Sequence, residues 1–142
     1  MIADSPGLEE ARAELNSRCN AIEECYEFML AYAGQGFDSD LAGGSGGQIR
    51  EFLTKCDQAL TGLGAFITSF TKRLNVETTP YARFMAVIDR DASDAQAAVQ
   101  LVLAQPGISS QLVDNLNASI HLRALLTDLF LIDEVFKAYR RT

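Results

Sequence analysis

The chain has 142 residues, enough for one domain with its own core, and its 48% hydrophobic residues with only 3 Pro and no Trp favour helices over a strand-and-turn fold. With Lys+Arg 12 against Asp+Glu 19 the formal net charge is -7, which repels a polyanionic backbone on average and argues against nucleic-acid binding. Met1 to Pro6 lacks the basic start of a signal peptide, no stretch approaches the roughly 18 apolar residues of a membrane span, and 3 Cys is an odd number for a disulfide framework. A cytoplasmic chain with reduced thiols and no membrane contact is the expectation.

Apolar residues recur every three or four positions in four stretches separated by breaker-rich gaps, so the predicted fold is all-α, a single domain spanning 1–142. The first helix is expected over 6–33, starting at Ser5-Pro6 and stopped by Gly34 and Gly36, with Leu8, Leu15, Ile22 and Met29 repeating at sevens. A Gly-rich stretch over 34–47 follows, expected to be a mobile loop that Phe37 and Leu41 could anchor. Its Gly43-Gly44-Ser45-Gly46-Gly47 run precedes a helix, yet no strand comes before it and no Lys follows at the P-loop position, so it reads as a linker.

The second helix, over 48–74, has the cleanest stripe, from Ile49, Phe52 and Leu53 to Phe70 and Leu74. The third, over 80–104, opens at Thr79-Pro80 and stops before Pro106-Gly107; the fourth, over 110–140, opens at Ser109 or Ser110. Short connections after the second and third favour antiparallel neighbours, hence an up-down-up-down four-helix bundle. Antiparallel counting places Glu9 and Glu10 opposite Arg73 and Lys72, Glu27 opposite Lys55, and Asp94 opposite His121. The basic clusters Lys72-Arg73 and Lys137, Arg140, Arg141 read as helix-end charges that complement the helix dipole.

No stretch supplies a nucleophile, metal cage or phosphate cradle in working spacing, so no catalytic residue, metal or cofactor is assigned. Cys25 and Cys56 fall in one layer of the expected bundle, a possible thiol pair, but zinc would need four ligands and His121 is the only histidine. Adjacent carboxylates such as Glu23-Glu24 and Asp89-Asp91 read as solvated faces, because consecutive residues point to different sides of a helix. Ser119 to Thr127 resembles the phospho-acceptor helix of sensor histidine kinases over about nine residues. It lacks the acidic residue directly after the histidine and the later proline, Arg123 falls one position early, and the Lys-Gly of histidine phosphotransfer domains is absent.

The functional signal is an apolar surplus. Between Leu125 and Phe136 the last helix is apolar around more than half its circumference, and Phe28, Leu30 and Tyr32 lie off the core stripe of the first. The expected function is therefore non-enzymatic contact, as adaptor, assembly factor or regulator, through Phe28, Tyr32, Leu126, Phe130, Leu131 and Val135. The expected partner is a second copy in a homodimer or a helical protein. A small-molecule or cofactor carrier with a pocket in the bundle core, among its aromatics and Cys25 and Cys56, is the alternative, and a phosphorelay through His121 the weaker one.

Overall fold

A computed structural model describes residues 6–42, 46–76 and 78–138. Among them the chain is all helical, without strands: α1 (Pro6–Ala33), α2 (Gly46–Leu60), α3 (Leu63–Arg73), α4 (Thr79–Leu103), α5 (Ser110–Ala118) and α6 (His121–Lys137), with a 3₁₀ turn at Asp40–Ala42. Two of the four expected rods are thus each a pair of helices. The expected cap Ser5 and the residues Gly43, Gly44, Ser45, Tyr139, Arg140 and Arg141 lie outside the described residues.

α1 follows its sequence pattern from end to end. Leu8, Leu15, Ile22 and Met29 are all buried, because a spacing of seven returns to nearly the same side of a helix. α1 packs chiefly on α2 and α5, with α6 and α3 also against it; α4 packs on α6, α3, α2 and α5. The antiparallel pairing of α1 with the second rod holds to within a residue or two, since Cys25 meets Cys56 and Phe28 stacks on Phe52 with centroids 4.4 Å apart. Arg73, expected opposite Glu9, instead donates to the Gly7 carbonyl at 2.5 Å.

The second rod breaks at Thr61-Gly62. Gly62 adopts φ 68°, a left-handed conformation that costs glycine little and ends a helix. Neighbouring helices hold the break. Arg18 of α1 donates to the freed carbonyls of Ala59 (3.1 Å) and Thr61 (2.7 Å), while Gln96 of α4 donates to the Asp57 carboxylate (3.0 Å) and the Thr61 hydroxyl (2.9 Å). The apolar stripe continues through the break in Ala59, Leu60, Leu63 and Ile67, all buried, which is why the pattern reads as one helix.

The last rod breaks at Ser119-Ile120. Ser109 caps α5 by accepting from Leu112 N–H at 3.0 Å, and the helix ends as Ser119 Oγ turns back to the Leu116 carbonyl at 2.6 Å. Ile120 then takes φ 60° before α6 begins. A β-branched residue there is a genuine outlier, strained by about 1 to 3 kcal/mol.

The described part of the Gly-rich stretch, 34–42, is bound to the corner between α4 and α5. Asp40, buried, accepts from Arg50 Nε at 2.5 Å and from Ile108 N–H at 2.7 Å. Arg50 also donates to the Leu103 (3.2 Å) and Gln105 (2.8 Å) carbonyls left open at the end of α4. Phe37 exchanges two 2.8 Å bonds with Ser110, and its ring lies 5.2 Å from that of Tyr32. Burial opposes the Asp40 charge, but the bonds from Arg50 and Ile108 outweigh it and hold the carboxyl below its ordinary pKa.

Candidate functional site

Helical spacing divides α6 into an inner and an outer side. Leu122, Leu125, Leu126, Leu129, Ile132 and Phe136 are buried. Ile120, Arg123, Thr127, Phe130, Leu131 and Glu134 are exposed and form the outer stripe. Three of these six are large and apolar, with 57% of Ile120, 53% of Phe130 and 55% of Leu131 open to solvent. Side chains of this size are ordinarily inside.

The six residues read from the sequence as a contact surface divide accordingly. Phe130 and Leu131 stand on the outer stripe, and Val135 is half-buried beside it. Leu126 is in the core, as is Tyr32, whose ring has no exposed surface and whose hydroxyl donates to the Ile108 carbonyl at 2.6 Å. These two cannot touch a partner. The wide apolar arc misled here because α6 is covered on two sides, by α1 and α4, so more of its circumference is interior than one stripe requires. Phe28 is half-buried against Phe52. Leu30, by contrast, is 52% exposed.

Phe130 also walls a cleft of about 190 Å³ between α6 and α1, with Asn16, Cys19, Glu23 and Asp133 among its other walls. Leu30 follows Glu23 by seven residues and so continues that side of α1 toward α5. Burial, with Asp133 and Glu23 nearby, pushes the Cys19 thiol up to about 11. At neutral pH it is protonated and a poor nucleophile.

Cys25 and Cys56 face one another with no exposed surface. The thiols share a hydrogen bond, and Cys25 Sγ lies 3.7 Å from Met29 Sδ on the next turn of α1. That bond and burial push the Cys56 thiol far above its ordinary pKa. The aromatic rings considered as pocket walls pack on each other, Phe70 against Phe136 at 5.0 Å edge to face.

A carboxyl pair that the sequence reading did not single out joins α4 to α6. Asp128 shares a hydrogen bond with Asp91, and its Oδ2 is buried. Burial first, then the bond and the charge of Asp91, push the Asp128 carboxyl up to about 7. Only the packing of α4 on α6 brings these residues together; helical spacing within either segment gives no signal. His121 is half-buried at the first position of α6, and no hydrogen bond or ion pair among the described residues links it to Asp94. A groove of about 870 Å³ between α3 and α4 is shallow; Thr68 and Thr71 on its wall donate to the Gly64 (2.9 Å) and Thr68 (2.7 Å) carbonyls of their own helix.

Among the described residues no three His, Cys, Asp or Glu side chains gather as a metal site, and no helix is long and apolar enough to cross a membrane. No protein-family model, curated protein or solved structure matches the chain.

Proposed function

We propose that this chain works by contact, without a reaction of its own, and that the outer stripe of α6 pairs with the same stripe of a second copy. The observation that carries the reading is the adjacent exposure of Phe130 and Leu131, each more than half open to solvent. Ile120 supports it. An exposed isoleucine held in a left-handed conformation does nothing for the core of its own chain, whereas strained residues persist where function needs them.

Charge favours a second copy as the occupant. The stripe carries Arg123 and Glu134, three turns apart, with Thr127 and Phe130 between them. In an antiparallel pairing about a two-fold axis near Asp128 and Leu129, Arg123 of each copy meets Glu134 of the other, and Thr127 meets Phe130. A two-fold contact requires that kind of self-complementarity. The stripe and Lys137 beside it also avoid the acidic surface of α1, where Glu9, Glu10, Glu14, Glu24 and Glu27 are exposed on a chain of net charge -7.

In this reading the six helices serve as four rods, up-down-up-down, with α2 and α3 forming one broken rod and α5 and α6 another. The 17 residues of α6 give a contact about 25 Å long, which belongs with small, transient interfaces. The pairing is accordingly reversible, in the micromolar range, and suits an adaptor or regulator that exchanges its own copy for another helical partner. Phe130→Glu tests it: the charge is desolvated at the contact, so the variant is monomeric at concentrations where the unmodified chain is dimeric, with its helicity retained. A variant that unfolds at low concentration would place Phe130 in the intrachain core and end the proposal.

A further inference from the structure

We infer that α6 is an exchangeable arm: by straightening at Ile120 it leaves the groove between α1 and α4 of its own chain and fills the same groove of a second copy, giving a long-lived swapped dimer. This exchange is distinct from the surface pairing of α6 and needs none of its contacts.

The hinge is a single residue. Ser119 ends α5 with φ -67° and ψ -16°, still in the right-handed helical region, and α6 resumes at His121. Ile120 alone, with φ 60° and ψ 4°, separates the two helices. Carrying its φ to about -63° makes one continuous helix roughly 40 Å long. Nothing in the sequence opposes that step, since Ser110 to Lys137 contains neither glycine nor proline, which is why its periodicity reads as one rod. Straightening also releases the strain that the left-handed isoleucine holds in each copy. Short hinges under strain are the setting in which copies of a chain exchange an element.

The side chains agree with the straight form. Val113 and Leu116 are buried in α5, and Ile120 follows them by seven and four positions, so in a continuous helix it joins their stripe and no longer stands exposed. At about 100° per residue, the buried Leu122, Leu125, Leu129 and Phe136 of α6 then project from nearly the opposite side of that helix. They turn away from the chain's own core and toward a second one. A second copy supplies what they need: α6 packs chiefly on α4, then on α1, and only lightly on α5, the helix to which it is joined. The groove fits this occupant because it already holds the identical segment.

Refolding the full chain at high and at low concentration tests the exchange. We expect the concentrated sample to yield a dimer that survives dilution and size-exclusion chromatography, because leaving it means withdrawing α6 from a core. Phe136 meets the Phe70 ring edge to face at 5.0 Å. In a dimer refolded from mixed isotope-labelled and unlabelled copies, isotope-filtered nuclear Overhauser contacts should join Phe136 of one copy to Phe70 of the other. Ile120→Gly takes the left-handed conformation freely and weakens a continuous helix, so it should lower the association constant of this dimer by roughly 100-fold, tenfold for each copy. Ser119→Ala removes the bond to the Leu116 carbonyl that closes α5 and favours helix, and should raise it by roughly fivefold. Phe130→Glu, which abolishes the surface pairing, should leave the swapped dimer in place, so the two contacts are told apart. Refolding that gives only monomer and rapidly exchanging dimer overturns the inference. So does a stable dimer whose Phe70 and Phe136 meet within one copy, or a yield indifferent to Ile120→Gly.

Discussion

The Asp91–Asp128 pair makes stability depend on pH in an unusual sense, and Asp128→Asn isolates it. The folded chain keeps the Asp128 proton up to about pH 7, whereas an unfolded carboxyl releases it near 3.8. The folded state therefore binds more protons between those values, and its stability falls as pH rises from about 4 through 7. At 1.36 kcal/mol per pH unit the full effect would be about 4 kcal/mol; solvent reaching this half-buried carboxyl reduces it to about 1 to 2 kcal/mol. Asparagine keeps the shape and a donor toward Asp91 but has no charge to develop. The variant should melt about 2 to 8 °C above the unmodified chain at about pH 8, and at the same temperature at about pH 4. Far-UV circular dichroism melts across pH decide it: an equal loss of stability at both pH values would mean that the two carboxyls do not share a proton, and the reasoning fails.

Two further substitutions probe the frame. Asp40→Asn removes the charge that binds Arg50 at the α4–α5 corner, and should cost about 2 to 3 kcal/mol at neutral pH in chemical denaturation. Because the Asp40 carboxyl is held below its ordinary pKa, its contribution is complete above about pH 5 and lost on acidification through its folded pKa, so the variant should also lose part of the chain's sensitivity to acid. Gly64→Ala would put a Cβ 2.8 Å from the Asp89 Cα, well inside the usual 3.5 to 4.0 Å carbon contact. Forcing α3 and α4 apart should cost about 1 to 3 kcal/mol against a helix-propensity gain of about 1, so a raised denaturation midpoint would refute the close packing.

The helical periodicity carried most of the fold because its signal is repeated many times, as in Leu8, Leu15, Ile22 and Met29. The two breaks were concealed for the same reason: the stripe through Leu60, Leu63 and Ile67 resumes in phase beyond Gly62. The clue was Gly62 with Gly64 two residues on, weak helix formers set in a strong pattern. For Ile120 no residue-level clue exists, since isoleucine disfavours the conformation it adopts. Counting from the loop put Cys25 in the layer of Cys56 and promised surface ion pairs that long side chains do not honour, as Arg73 shows. Tyr32 was misplaced because its partners, Ile108 and Ser110, are 76 and 78 positions away. Asp91 with Asp128 was missed for the same reason: no local spacing encodes a contact between distant helices.

The molar mass of the unmodified chain by sedimentation equilibrium, with its charge-reversed variants, tests the α6 pairing most directly. A dimer gives about twice the 15.5 kDa chain mass at high micromolar concentration, relaxing toward the monomer on dilution. Arg123→Glu should weaken it, by about 0.2 to 1 kcal/mol or more for each of two symmetric pairs, and adding Glu134→Arg should restore it. A mass of 15.5 kDa at every concentration, or a doubly reversed variant no better than the single one, would contradict it.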